Sequence, residues 1–125
     1  MSQDIIADGL NQIMNAKQVE KNQLVLRRYS KLLFNLFDIM VKKGYLSYEH
    51  NKDEKSVIIN ILNLNKCQAV KPRYYVSHKE IEKYLRRFLP SRNFGSLIVS
   101  TNKGLMTHQE AIANKLGGSL IAYFY

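Results

Sequence analysis

The stretch Gly95–Ala111, GSLIVSTNKGLMTHQEA, carries most of the fold information in this chain of 125 residues. Its apolar run Leu97–Val99 is typical of a strand that is buried on both faces. Ser100–Gly104 is small and polar apart from one lysine, and it predicts a loop whose backbone can turn at the glycine. Thr107 and Glu110 have the spacing of a capping box, which predicts that a short helix follows.

The residues around this stretch predict short strands and one further helix. Ser77 and Glu80 form another capping box, and Pro90 is expected to end the helix that they begin. The predicted elements are strands over Cys67–Val70 and Arg73–Val76 around Pro72, this helix, a helix stop at Gly117–Gly118 and a final strand over Leu120–Tyr125.

The first half of the chain predicts two helices and three strands. Its second helix has the clearest pattern, because its apolar residues follow the i, i+3, i+4, i+7 spacing of a buried stripe. These residues are Leu33, Leu36, Phe37 and Met40. The predicted elements are a helix over Asp4–Ala16, a strand over Gln23–Arg27, a helix from the N-cap Ser30 to Gly44, and strands over Tyr45–Glu49 and Val57–Leu62 joined by the loop His50–Ser56.

Charge divides the chain near residue 65. Residues 1–65 contain 9 Lys and Arg against 7 Asp and Glu, whereas residues 66–125 contain 10 against 3. We therefore predict an α+β fold of two small α/β domains packed side by side. The N-terminal domain, residues 1–65, has the order helix-strand-helix-strand-strand, and the C-terminal domain, residues 66–125, is mostly β with short helices.

Composition excludes several classes of protein. Apolar residues make up 46% and charged residues 23%, which is ordinary for a globular protein and unlike a disordered one. The single cysteine, Cys67, excludes an internal disulfide framework and suits a reducing compartment. The chain has neither a signal-peptide pattern at its start nor an apolar stretch of about 20 residues, so we expect a cytoplasmic protein without a membrane partner.

An enzymatic site has little support in the sequence. Cys67 could pair with His78 or His108, but no third residue is positioned to orient the imidazole, and a small buried residue in a strand explains the cysteine better. The three histidines lack metal-type spacing, and we expect them at surface or capping positions. No glycine-rich phosphate loop occurs. We predict no catalytic residue, metal, cofactor or small-molecule substrate.

Nucleic acid is the partner that the charge favours. The formal net charge is +9, and basic residues cluster in three places that could contact phosphates. These clusters are Arg27, Arg28 and Lys31; Lys71 and Arg73; and Arg86, Arg87 and Arg92. The polar loop adds hydroxyl and amide groups that could enter the shallow minor groove of RNA. For any one of these residues, plain solubility or an ordinary turn is an equally good explanation.

The same loop carries a family resemblance. Gly95–Ala111 resembles the signature of the universal small-subunit ribosomal protein eight family, in which aliphatic residues precede Ser/Thr-Thr-x-x-Gly. The resemblance extends to Asp8–Ala16, Gly44–Leu46 and Gly117–Tyr125. The stretches Pro72–Tyr74 and Leu89–Gly95 resemble the archaeal and eukaryotic cytoplasmic branch.

This resemblance implies a non-enzymatic protein of two α/β domains that binds small-subunit ribosomal RNA. It also implies a role in assembling the central domain of the subunit, beside neighbouring small-subunit ribosomal proteins, in cytoplasmic ribosomes. The residues that it implies for a distorted RNA helix are Ser100, Thr101, Asn102, Gly104, Thr107 and Glu110. Those implied for a neighbouring RNA segment are Asn15, Lys17, Arg28, Ser30 and Lys31, and charge adds Lys71, Arg73, Arg92 and the loop residue Lys103.

Two alternatives stay open at the level of sequence. A stand-alone regulator that binds double-stranded RNA would use the same surfaces but would bind many duplexes alike. Competition between an irregular ribosomal helix and a regular duplex distinguishes it from a ribosomal protein. A small enzyme that uses Cys67 is the other alternative, and thiol alkylation without loss of function would exclude it.

Overall fold

The structure is a computed structural model that describes residues 5–71, 73–91 and 94–125. In these ranges it contains four helices and antiparallel sheets, which confirms the predicted α+β class. The chain forms two compact units, unit 1 ending at Cys67 and unit 2 beginning at Gln68. No helix within the described ranges is long and apolar enough to cross a membrane. Three residues named in the predictions lie outside the described residues: Asp4, where the first helix was predicted to begin, Pro72 and Arg92.

Unit 1 has two helices and a three-stranded sheet. The central strand is β3, and both of its neighbours run antiparallel to it in the order β1-β3-β2. Its elements are α1 (Ile5–Gln18), β1 (Gln23–Leu26), α2 (Lys31–Lys42), β2 (Leu46–Asn51) and β3 (Ser56–Ile61). The predicted order of helix, strand, helix, strand, strand is therefore confirmed.

Helix α2 shows why the local sequence determines its bounds. Ser30 is the N-cap, and its hydroxyl oxygen accepts a hydrogen bond from the Leu33 N–H at 3.2 Å. Gly44 follows the C-cap Lys43 with φ +82°, a left-handed conformation that favours glycine. All four residues of the predicted apolar stripe are fully buried. Both caps and the buried stripe confirm the prediction for this helix.

The β2–β3 hairpin is tighter than predicted. His50 and Ser56 belong to the strands, so the turn comprises only residues 52–55. Asn51 holds this turn, because its side-chain oxygen accepts hydrogen bonds from the backbone N–H groups of Asp53 and Glu54 at 3.1 and 3.2 Å. The two ends of the predicted loop His50–Ser56 therefore extend the β2–β3 pairing instead of interrupting it.

Unit 2 consists of a sheet, one longer helix and one short helix. The strand order is β4-β8-β6-β7, and β5 also pairs with β8. Its elements are β4 (Cys67–Ala69, whose first residue is the last of unit 1), β5 (Tyr75–Val76), α3 (Ile81–Phe88), β6 (Ser96–Thr101), β7 (Gly104–Thr107), α4 (His108–Ala113) and β8 (Gly118–Phe124). The core between α3 and the sheet includes Ile81, Leu85, Leu97, Val99 and Leu120.

The first capping box of unit 2 forms a turn before its helix. The Glu80 carboxylate accepts hydrogen bonds from the Ser77 N–H at 3.4 Å and from the Ser77 hydroxyl at 3.0 Å. Regular helix nevertheless begins only at Ile81. The helix ends at Phe88, before Pro90, as predicted.

Three predictions for unit 2 are wrong. Ser100–Gly104 is the end of a hairpin, because Ser100 and Thr101 lie in β6 and Gly104 begins a strand that was not predicted. Helix α4 ends at Ala113, well before the glycine pair, with Lys115 in a left-handed conformation at φ +55°. His108 is buried, and its Nδ1 accepts a hydrogen bond from the Leu97 N–H at 3.2 Å.

Shortening a buried side chain should destabilise each unit while leaving its exposed polar residues unchanged. Leu33→Ala in unit 1 and Leu85→Ala in unit 2 should each lower the free energy of unfolding by about 2–5 kcal/mol, because both side chains are buried. Leu62 is 55% exposed, and Leu62→Ala should cost less than about 0.5 kcal/mol. Urea denaturation followed by circular dichroism measures all three, and equal losses for buried and exposed leucines would contradict the packing described above.

Candidate nucleic-acid interface

The β6–β7 turn presents two exposed polar side chains on a closed backbone. Asn102 and Lys103 form the turn. The Thr101 hydroxyl accepts a hydrogen bond from the Lys103 N–H at 3.1 Å and donates one to the Gly104 carbonyl at 3.0 Å. Gly104 has φ +107°, which only glycine adopts without strain. The Thr101 hydroxyl therefore serves the turn, while the side chains of Asn102 and Lys103 face solvent.

The Ser100 side chain has a hydroxyl that the fold leaves available for hydrogen bonding. It lies opposite Ser119 of β8 and opposite Leu105 of β7. Its side chain is half-buried, and its hydroxyl makes no hydrogen bond to any other residue in the described ranges. A serine held between two paired strands with a free hydroxyl has donor and acceptor capacity to offer an external partner.

A row of four side chains crosses the sheet at this level. Cross-strand partners share a face of a sheet, so the register places Leu105, Ser100, Ser119 and Tyr75 on one face. We call this set the cross-strand row. Tyr75, at its other end, is 79% exposed. The row thus joins an exposed ring to two hydroxyls and to the polar turn.

Gly118 sets the spacing of this row. A Cβ atom added there would lie 2.0 Å from the Ser100 carbonyl oxygen and 3.2 Å from the Thr101 Cα. Gly117 is equally tight, because its Cβ would lie 2.6 Å from the Val76 carbonyl oxygen. The glycine pair, predicted as a helix stop, instead allows two backbones to approach β8 closely.

Thr107 and Glu110 hold the short helix behind the hairpin. Thr107 is 1% exposed, and its hydroxyl accepts a hydrogen bond from the Glu110 N–H at 3.4 Å and donates one to the Glu110 carboxylate at 3.2 Å. The hydrogen bond from Leu97 to His108 ties the same helix to β6. Thr107 therefore positions the hairpin through its cap on α4, while Glu110 remains exposed.

Three of the predicted basic residues of unit 2 are exposed, and two of them lie close in sequence to members of this row. Lys103 is exposed in the turn, and Arg73 is exposed two residues before Tyr75, at the β5 end of the row. Lys71 is exposed as well. Along the chain, Lys71 and Arg73 precede Ser100, and Lys103 follows it.

Unit 1 presents its own candidate residues at two places. Arg28 and Lys31 are exposed around the N-terminus of α2, and the Ser30 hydroxyl is already occupied by the cap. Asn15 is exposed on α1, where Lys17 is half-buried in the last turn. The Arg28–Lys31 group therefore offers positive charge at a helix end that favours anions.

The thiol that could have served an enzyme is enclosed. Cys67 is 2% exposed, and its Sγ–H donates to the Leu10 carbonyl at 3.7 Å. Burial raises the pKa of this thiol to about 12, so the reactive thiolate is scarce at neutral pH. In residues 5–71, 73–91 and 94–125, no group of three or more histidine, cysteine, aspartate or glutamate side chains could hold a metal ion.

Sequence reasoning missed Ser119 and Tyr75. Both were placed in or near predicted strands, but which residues of β5 and β8 face Ser100 depends on register, and register is set by pairing between distant segments. A signal was present in Gly117–Gly118, because paired glycines next to a strand can mark a close backbone approach as well as a helix stop.

Comparison with known proteins finds similarity along the length of this chain. The family model described as Ribosomal protein S8 matches residues 4–125. The small ribosomal subunit protein uS8 of Nanoarchaeum equitans (strain Kin4-M) is 40% identical over 129 residues, and the alignment covers 100% of both chains.

Adding a methyl group at Gly118 should disrupt the row. Gly118→Ala forces β8 away from β6, and we expect it to lower the free energy of unfolding by about 1–3 kcal/mol or more. Ser119→Ala, one residue along the same strand, is the matched control and should change stability by less than about 0.5 kcal/mol. Urea denaturation compares the two, and a Gly118→Ala variant as stable as Ser119→Ala would show that the strands approach less closely.

Proposed function

Since this chain belongs to the ribosomal protein S8 family, we propose that the cross-strand row and the β6–β7 turn are its RNA contact. Members of this family are structural, non-enzymatic proteins of the small ribosomal subunit that bind ribosomal RNA. The observation that carries this proposal is the Ser100 hydroxyl, which is half-exposed, rigidly held and without a partner among the described residues. Ser119 and Tyr75 join it through their register.

The chemistry of the row suits the minor groove of an RNA helix. That groove is wide and shallow, and it displays 2′-hydroxyls and base edges that hydroxyl and amide groups can bond. Ser100 and Asn102 supply such groups, and Gly104 has open space around its Cα, since an added Cβ would meet nothing within 4 Å. Thr101 and Thr107 contribute by holding the hairpin, and the exposed carboxylate of Glu110 can accept from a 2′-hydroxyl.

Positive charge supplies the attraction that is independent of sequence. Residues 66–125 contain 10 Lys and Arg against 3 Asp and Glu. We assign phosphate contacts to Lys71, Arg73, Arg92 and Lys103. These contacts position the protein on the RNA, whereas the row reads the shape of its groove.

Unit 1 makes the second contact in this proposal. Arg28, Lys31 and the N-terminus of α2 present positive charge and backbone N–H groups to a neighbouring RNA segment, with Asn15 and Lys17 of α1 as further contacts. The residue Ser30 acts there through its cap. The biological role that we propose is to support the central domain of small-subunit RNA during assembly, next to other small-subunit proteins, in cytoplasmic ribosomes.

Removing the two hydroxyls should weaken recognition of the specific RNA. We expect the double variant Ser100→Ala, Thr101→Ala to lose about 1–3 kcal/mol of binding free energy for small-subunit ribosomal RNA, because one hydroxyl bonds the RNA and the other holds the turn. Ser47→Ala, a half-buried serine on β2, is the control and should bind as the unchanged chain does. Filter binding with a regular RNA duplex as competitor measures the loss, and unchanged affinity in the double variant would contradict the assignment.

Binding should also depend steeply on salt. If about six phosphates are contacted, a plot of log affinity against log salt concentration should have a slope of roughly −5. Lys103→Gln should make that slope shallower by about 1, while Lys52→Gln in the β2–β3 turn should leave it unchanged. Titrations at four salt concentrations give the slopes, and a slope near zero would remove the phosphate contacts from the proposal.

A further inference from the structure

We propose that Arg87 binds a phosphate of the same RNA, so that the RNA surface continues from the cross-strand row around the β5 edge of unit 2. The inference rests on the proposed function, because it extends the same interface. It assigns a binding role to an arginine of α3 and to the two tyrosines that hold it.

Two aromatic rings hold the guanidinium group in place. The Arg87 Cζ atom lies 5.9 Å from the ring centroid of Tyr74 and 5.9 Å from that of Tyr84, and these rings are 5.6 Å apart. Both tyrosines are half-buried, whereas Arg87 is exposed. A guanidinium held against aromatic faces keeps its donors free and loses less rotamer entropy when a phosphate arrives.

Within α3, no carboxylate lies three or four residues from Arg87. Side chains three or four residues away are the neighbours on a helix surface, and within α3 those of Arg87 are Lys83 and Tyr84, because the helix ends at Phe88. The general benefit of a cation at a helix C-terminus applies equally to Arg86, which is exposed in the same last turn. Arg87 therefore differs from Arg86 in its pair of tyrosines and in its helix neighbours, since Glu82 lies four residues before Arg86.

The β5 edge connects Arg87 to the row. The Tyr74 carbonyl accepts a hydrogen bond from the Leu120 N–H at 2.8 Å, and Tyr75 lies opposite Ser119. Successive residues of an extended segment point to opposite faces, so Tyr75 lies with Ser100 and Ser119 while Tyr74 contacts Tyr84 of α3. Because this edge links the two sites, one RNA strand can reach both, and this continuity favours RNA over an acidic peptide as the partner.

The experiment compares Arg87→Gln with Arg86→Gln in the full chain, using small-subunit ribosomal RNA as the probe. Both variants remove one positive charge from the same helix turn, so a loss that follows from net charge alone would appear in both. We expect Arg87→Gln to weaken binding about tenfold and to make the salt slope shallower by about 1. Arg86→Gln should change neither quantity. Arg87→Lys should keep the slope and lose several-fold in affinity, because lysine lacks the planar fork.

The outcomes separate this inference from the proposed function. Equal losses in Arg87→Gln and Arg86→Gln, or no loss in either, would overturn the role of Arg87. If the Ser100→Ala, Thr101→Ala variant still weakens binding in that case, the proposed function stands alone. Binding of an acidic peptide that depends on Arg87, with RNA affinity unchanged, would also overturn the inference. Should Arg87→Gln fail to fold, Arg87→Lys retains the charge and decides the question by its affinity.

Discussion

The close approach of β8 to β6 is the constraint on which the rest of unit 2 depends. At Gly118 the two backbones are so near that a single methyl group would overlap the Ser100 carbonyl. This contact places Ser119 opposite Ser100, and through β5 it places Tyr75 opposite Ser119. The proposed RNA surface, made of side chains from four strands, therefore depends on the absence of one Cβ atom. Gly118 acts through its missing Cβ atom, since its φ does not lie in the left-handed region.

The polar residues of the family signature divide into those that the fold uses and those that it leaves free. Thr101 closes the hairpin turn and Thr107 caps α4, so their hydroxyls are satisfied within the chain. Ser100 and Asn102 are positioned by these neighbours and keep their bonding capacity for another molecule. This division has a physical reason. A recognition group whose position is already fixed loses no further conformational freedom on binding, and it is then most selective.

Local sequence patterns predicted the parts of the structure that are locally determined. The buried stripe and caps of α2, the end of α3 before Pro90 and the strand core of β6 follow from periodicity, capping chemistry and proline geometry. The β6–β7 hairpin, the early end of α4 and the burial of His108 could not be predicted in the same way. Each depends on contacts between segments, such as the hydrogen bond from Leu97 to His108, whose energies no local pattern contains.

In the proposed RNA interface, charge and shape have separate tasks, and their placement explains why both are needed. Cations attract any RNA, and their effect is screened by salt, so the surplus in residues 66–125 cannot by itself select one helix. The cross-strand row carries no charge, and its hydroxyls act only at hydrogen-bonding distance. Under this proposal, the cations determine how strongly RNA is held near unit 2, and the row determines which groove fits. The proposed selectivity for an irregular helix then follows from the strand pairing beneath the row, because a flexible hydroxyl could adapt to any groove.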